Sequence, residues 1–133
     1  MLLTASEWPR LGYFHDAKVL AVVWDISDPS QRQLILDLIC DPESGDKLWQ
    51  GKQLRVVFSN TIAVLFRAWG YCIGDEYVSI WGTNISKDMQ TSLNYLSGCG
   101  VAIPEGRFSI AFSSGSEIEV VCGQVAVEDK SGG

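Results

Sequence analysis

Histidine is nearly absent from this sequence, since His15 is the only one among 133 residues. A hydrolytic triad needs a nucleophile, a base and a group that orients the base, and His15 is the one imidazole on offer. It precedes Asp16 at the start of an apolar run, where adjacent side chains of an extended chain point to opposite faces. We therefore expect His15 and Asp16 not to hydrogen-bond to each other, and we expect no enzymatic activity.

Closely spaced metal ligands and glycine-rich phosphate loops are also missing. The four cysteines, Cys40, Cys72, Cys99 and Cys122, form no CxxC pair, whereas a zinc site needs ligands that lie close together. None of the 13 glycines belongs to a GxGxxG or P-loop pattern. We expect four free thiols, no metal and no cofactor.

Basic residues are scarce, with 10 Lys and Arg against 16 Asp and Glu, which gives a net charge of −6. Phosphates need cationic partners, so this balance argues against binding to nucleic acid or to an anionic membrane surface. The apolar runs are too short to span a bilayer. The first residues lack the basic and apolar regions of a signal peptide, so we expect a cytoplasmic protein.

The acidic excess lies in the second part of the sequence. Residues 71–133 contain eight acidic and three basic side chains, which suits a surface that attracts a basic partner. Asp75 and Glu76 fall in an expected turn, and Glu117 and Glu119 share one face of a predicted strand, about 7 Å apart. Paired carboxylates do acid–base chemistry only in a water-poor cleft, so we predict a solvated acidic face instead.

Alternating apolar and polar residues predict strands over much of the chain. Segments 17–27 and 33–40 flank a turn and are typical of a hairpin, as are segments 107–114 and 117–129. Further strands are predicted at 52–60, 61–73 and 77–82.

One helix is predicted near residues 86–97, because apolar residues recur there at helical spacing and Ser86 suits the N-cap. The sequence therefore predicts a single α+β domain over 1–133. This domain is mainly an antiparallel sheet of about six to eight strands in hairpins, with a flexible tail at 130–133.

Tryptophan is frequent, with five in the chain. Trp24 and Trp69 fall in predicted strands and are expected in the core. Trp49 lies in the polar stretch GDKLWQG, where a large ring is hard to bury. It is a candidate interface anchor, since Trp is enriched at binding hot spots, and packing over a sheet edge is the alternative.

Several stretches together resemble a known family. FHDAKVLAVVWD resembles the start of the bacterial immunity-protein-50 family and related small proteins, and QLILDLIC, KQLRVVFSN and RFSIAFSSGSEIEVVCGQVAV resemble its later strands. The stretch RAWGYCIGDEYVSIWG departs from the pattern. The resemblance implies a cytoplasmic protein that binds and neutralises a polymorphic toxin, with no cofactor and no reaction. The resemblance also implies that the motif positions Phe14, His15, Asp16 and Ala17 define the fold and do not perform the function.

Under this hypothesis the partner is a basic toxin domain, which an acidic inhibitor can attract and occlude. The expected contact residues are Asp75, Glu76, Glu117 and Glu119, with Trp49 as an anchor.

Three alternatives stay open. A small-molecule-binding module needs a concave apolar pocket of several hundred Å³, here lined by Trp24, Trp69 and Trp81. An enzyme needs a cleft that joins His15 or the acidic residues. A homo-oligomer can form through an exposed strand edge.

Overall fold

The computed structural model describes residues 1–43, 47–67 and 75–131; Trp69 and Cys72 lie outside the described residues. The described chain forms nine strands, one 3₁₀ helix and one α-helix. In chain order these are β1 (Leu2–Leu3), the 3₁₀ helix (Ala5–Phe14), β2 (Lys18–Asp25), β3 (Gln33–Ile39), β4 (Gln53–Ser59), β5 (Ala63–Arg67), β6 (Glu76–Gly82), α1 (Lys87–Gly98), β7 (Gly106–Phe112), β8 (Glu117–Cys122) and β9 (Gln124–Asp129).

All strand pairs are antiparallel, in the order β1-β9-β4-β3-β2-β6-β7-β8-β5. The predicted α+β class with a mainly antiparallel sheet is confirmed. The strand count exceeds the six to eight expected for two reasons. The two-residue β1 carries no alternation that could predict it. The predicted strand 117–129 breaks at Gly123 into β8 and β9, which have different neighbours.

The break at Gly123 belongs to a corner that folds the sheet over. β4 pairs with β9 and β5 pairs with β8, so two long segments stay paired on both sides of the bend. At the corner the Gly123 N–H donates to the carbonyls of Ser59 and Asn60, and Asn60 adopts a left-handed φ of 52°. The two layers meet in the core, where the rings of Phe58 and Phe108 lie 5.5 Å apart.

The core lies between these layers and is made by the alternate residues of each strand. In β3 these are Leu34, Leu36 and Leu38, all fully buried. Burying such a side chain stabilises the fold by about 1.5–3 kcal/mol. Aromatic contacts continue the core towards the 3₁₀ helix, with Trp8 5.5 Å from Phe108 and in edge-to-face geometry.

Helix α1 confirms the helix predicted near residues 86–97. The hydroxyl of Ser86 accepts the Met89 N–H at 3.2 Å, which caps the first turn as expected. Met89 and Leu93 are buried against Val121 of β8 and form a second, smaller cluster. The helix therefore covers the outer face of β8, which was expected to be solvated.

The 3₁₀ helix was not predicted, although its start carries a recognisable signal. The Thr4 N–H donates to the Glu7 carboxylate at 3.0 Å, as in a Thr-x-x-Glu capping arrangement. Leu11 and Phe14 are buried in the core.

The alternation of the predicted strand 17–27 is interrupted in β2, although Val22 and Trp24 share one face. The pairing of β2 with β3 shifts between Val19 and Ala21, so Leu20 is an extra residue that pairs with nothing on β3. The bulge reverses the alternation, and the residues that share the inner face of β2 are Val19, Val22 and Trp24.

The first two residues of the tail predicted at 130–133 are held to β4 by hydrogen bonds. The Lys130 N–H donates to the Gln53 carbonyl at 2.8 Å, and the Ser131 hydroxyl accepts the Gln53 N–H at 2.7 Å. Residues 132–133 lie outside the described chain. Among the described residues, no helix is long and apolar enough to cross a membrane.

Candidate functional site

Two strand edges that the other described strands leave wholly or partly unpaired line the same groove. β2 pairs with β6 only at Lys18 and Val19, so the rest of its edge is unpaired within the described chain. β5 pairs only with β8 there. We call the space between them the β2–β5 groove. It is lined by Val19, Val22 and Trp24 of β2, by Ala63, Val64, Leu65, Phe66 and Arg67 of β5, and by neighbouring residues described below.

Two apolar side chains on the inner face of the sheet are exposed to solvent in the groove. Phe66 lies opposite Ile118 and therefore shares the inner face of the sheet, yet it is 49% exposed. Val22 lies opposite the fully buried Leu36 and is 38% exposed. Phe112 and Ile118 complete the apolar lining of this part, whose volume is about 200 Å³. Two inner-face side chains are therefore left uncovered.

A second cavity along the groove lies beside α1, has a volume of about 660 Å³ and shares no lining residue with the first. Trp24 and Val64 line it from the strands, and Tyr95, which is largely exposed, lines it from the helix. Arg32 contributes a positive charge at this end.

Acidic side chains surround Arg67 at the other end of the groove. The Arg67 guanidinium lies 3.0 Å from the Glu119 carboxylate and 3.5 Å from those of Glu117 and Asp88. Glu76 lines the same 200 Å³ section as Arg67 and Glu117. Three carboxylates therefore contact one guanidinium and a fourth lines the same section, so these side chains together carry a negative net charge.

Glu119 is buried rather than solvated, which corrects its expected place on an exposed acidic face. It is only 4% exposed, and both of its carboxylate oxygens are engaged. One accepts from Arg67 and the other accepts the Ser86 N–H at 2.7 Å, ahead of α1. Its contacts are structural, because they hold the start of the helix against β8.

The other three acidic candidates remain accessible. Glu117 and Glu76 are brought together at the groove, whereas Asp75 points to Lys18, 3.4 Å away. Glu76 accepts hydrogen bonds from the Ser113 hydroxyl and from the Ser114 N–H. Burial raises the pKa of the Glu76 carboxyl, but these hydrogen bonds outweigh it and the net pKa is lowered.

Trp49 is not an exposed anchor, and the alternative of packing is the correct one. It is 4% exposed, and its ring lies 4.9 Å from that of Phe14. The Arg10 guanidinium covers the ring at 4.7 Å. The loop thereby fixes the 3₁₀ helix to the sheet.

The expectation that His15 and Asp16 do not bond to each other is wrong. His15 Nδ1 lies 3.0 Å from the Asp16 carboxylate, and both side chains are exposed. Asp16 is not extended, because its φ is 69°, so the alternation argument does not apply. Phe14 and Ala17 on either side are buried, so the four positions form a turn with two core residues at its ends.

Neither His15 nor the cysteines build a metal centre in the described residues. No group of three His, Cys, Asp or Glu side chains there could hold a metal ion. Cys40, Cys99 and Cys122 are free thiols. Burial raises the pKa of Cys40 to about 11 and that of Cys122 to about 12.

Compared with known proteins, the chain matches no protein-family profile, no curated protein and no solved structure. Function must therefore be argued from the groove. Sequence reasoning did not select Phe66 or Val22, because each looks like an ordinary core residue in its strand. Their exposure follows from strand order, which no local pattern encodes.

Proposed function

We propose that this protein is a non-enzymatic binding protein whose partner is a basic protein domain that docks in the β2–β5 groove. The observation that carries the proposal is the exposure of Phe66 and Val22 from an inner sheet face, next to the carboxylates around Arg67. An uncovered apolar centre with a charged border is the usual anatomy of a protein interface.

The charge of the groove supports a basic partner. Glu117, Glu76 and Asp88 all line it, and the chain as a whole carries a net charge of −6. Complementary charge speeds association and makes it sensitive to salt. The apolar residues would contribute to the affinity, because removing apolar surface from water favours association.

The particular class we propose is a bacterial immunity protein that acts in the cytoplasm by neutralising a cognate toxin. The resemblance of the opening FHDAKVLAVVWD and of the last hairpin to that family supports it, as does the acidic groove. Of the contact residues first expected, Glu117 and Glu76 remain in this proposal because they line the groove. Asp75 precedes Glu76 in the sequence and contacts Lys18 instead. Glu119 and Trp49 are buried, so they support the fold and do not contact the partner in this proposal.

Capture with matched variants tests the proposal. Wild type, Phe66→Ser and Ile26→Ser would be immobilised and exposed to lysates of related bacteria, with elution by a salt gradient. Ile26 is the control because it is exposed and apolar but lines no described groove. We expect a basic protein to be retained by wild type and Ile26→Ser, released by moderate salt, and lost by Phe66→Ser.

Growth protection then tests the toxin. The captured protein, expressed in a host cell, should stop growth, and co-expression of the wild type should restore it while Phe66→Ser does not. A captured protein that is acidic, or that all three columns retain equally, would contradict docking in the groove. A captured protein that leaves growth unchanged would contradict the immunity function.

One observation favours a second candidate, a small-molecule-binding module. The groove beside α1 has a volume of about 660 Å³, within the range of ligand sites, and Trp24 and Tyr95 line it. Trp81 does not line it and packs 5.5 Å from Phe14 instead. A compound that raises the melting temperature of wild type but not of Trp24→Ala would favour this function.

A further inference from the structure

We infer that the partner binds as an added β-strand along the edge of β5 that no described strand pairs, presenting apolar and basic side chains in alternation. This inference rests on the proposed function, because it specifies how the proposed partner occupies the β2–β5 groove.

The backbone of β5 supplies the first part of the argument. Successive residues of a strand direct their N–H and C=O groups alternately to the two sides, so half of those in Ala63–Arg67 point away from β8. Within the described chain, no backbone bond satisfies the groups on that side. An extended segment of a partner can satisfy them, as in recognition by strand addition.

The two faces of β5 supply the second part. Val64 and Phe66 lie on the inner face, while Leu65 and Arg67 lie opposite Glu119 and Glu117 on the outer face. A strand added beside β5 keeps the same alternation. Its inner side chains would meet the apolar section of the groove, and its outer side chains would meet the acidic end.

Charge selects β5 rather than β2 as the docking edge. The outer face of β2 carries Lys18 at one end and the single carboxylate of Asp25 at the other, so its charges offset each other. At β5 the carboxylates of Glu117, Asp88 and Glu119 all contact the single guanidinium of Arg67, which leaves a net negative charge. A Lys or Arg on the outer face of the added strand would therefore be stabilised at β5.

Short peptides of defined pattern test the inference. The probe is acetyl-Lys-Val-Lys-Phe-Lys-Val-Lys-amide, which alternates as required and covers the five residues of β5. A control peptide has the same composition but groups its four lysines before the apolar residues. We expect the alternating peptide to bind at least about tenfold more tightly, which corresponds to about 1.4 kcal/mol.

N-methylation of the peptide distinguishes backbone hydrogen bonding to β5 from attraction by charge or apolar contact alone. One peptide carries N-methyl groups on the lysines and another on the apolar residues, so each removes the N–H donors along one edge. Strand addition predicts that at least one of the two loses binding. Equal binding by both methylated peptides and the parent would overturn the inference.

Variants of the protein test where on its surface the peptide binds. Phe66→Lys should weaken the alternating peptide at least about tenfold, and Ile26→Lys, with the same change of charge, should not. Glu117→Lys should weaken it, and Glu43→Lys in an exposed loop should not. Equal effects of groove and control variants would mean that only overall charge attracts the peptide, and would overturn the inference.

The outcomes also distinguish this inference from the proposed function. If the captured partner needs Phe66 but no alternating peptide binds or competes with it, strand addition is wrong and the proposed function stands. If the peptides behave as expected while the captured protein binds all variants equally, the partner docks elsewhere and the proposed function is wrong.

Discussion

Arg67 and Glu119 form an ion pair at 3.0 Å that joins β5 to β8, and the second carboxylate oxygen of Glu119 holds the Ser86 N–H at 2.7 Å. One buried carboxylate therefore ties the edge strand of the groove to the start of α1. The geometry of the acidic end depends on this tie.

Removing that carboxylate should destabilise the fold. Glu119→Ala leaves the Ser86 N–H without its acceptor and removes the nearest of three carboxylates around Arg67, which should lower the free energy of unfolding by about 2 kcal/mol. Glu117→Ala is the control, because its half-exposed ion pair should contribute less than about 1 kcal/mol. Urea unfolding measures both, and equal losses would contradict the structural role of Glu119.

The place of Glu119 shows what the sequence can and cannot predict. The alternation in β8 correctly separates Glu119 from the core residues Ile118 and Val120. It does not show that α1 packs on the outer face, because that contact joins elements far apart in the chain. The helix itself was predictable, since Ser86 and the apolar spacing after it are local signals.

The turn at His15 and Asp16 leads to a second prediction. Asp16 has a φ of 69°, a conformation that glycine adopts freely and β-branched residues adopt at a cost. Asp16→Val should therefore lower the free energy of unfolding by about 2 kcal/mol, while Asp16→Gly should leave it unchanged or raise it by up to about 1 kcal/mol.

His15→Ala separates the effect of the backbone from that of the side-chain contact at this turn. Both side chains are exposed, so losing their contact should change the free energy of unfolding by less than about 0.5 kcal/mol. A larger loss of stability in His15→Ala than in Asp16→Val would mean that the side-chain contact, and not the backbone, defines the turn.

Glu76 leads to a third prediction, on pH. Its pKa is lowered in the native state, so its contribution to stability is present above the ordinary carboxyl pKa and is lost as the pH falls through the native pKa. Ser113→Ala removes a hydrogen bond of 3.0 Å and should raise the Glu76 pKa towards its ordinary value. NMR titration of the carboxyl carbon measures the shift.

Ser30→Ala is the matched control for Ser113→Ala. It removes an equivalent hydroxyl donor, here 2.7 Å from Asp28, and should leave the titration of Glu76 unchanged. An unchanged Glu76 pKa in Ser113→Ala would show that Ser114 holds the carboxylate without help from Ser113.

The groove marks the limit of local prediction. Phe66 has the residue type and the alternation of a core position, and its opposite residue Ile118 is indeed buried. What exposes Phe66 is the absence of a described strand beside β5, which depends on the corner at Gly123 and on the short contact between β2 and β6. Such contacts are set by the whole topology.

The cysteines lead to the last prediction. Burial raises the pKa of Cys40 to about 11 and that of Cys122 to about 12, so both stay protonated and unreactive at neutral pH, whereas Cys99 is exposed. In a Cys72→Ser variant, a thiol reagent at neutral pH should modify Cys99 quickly and the other two only after unfolding.

The same raised pKa values predict a loss of stability at alkaline pH. Because the thiols ionise at lower pH in the unfolded chain than in the native protein, native stability should fall as the pH rises from 9.0 through these pKa values. A Cys122→Ala variant should show less of this alkaline loss, and rapid labelling of Cys122 in the folded protein would contradict its burial.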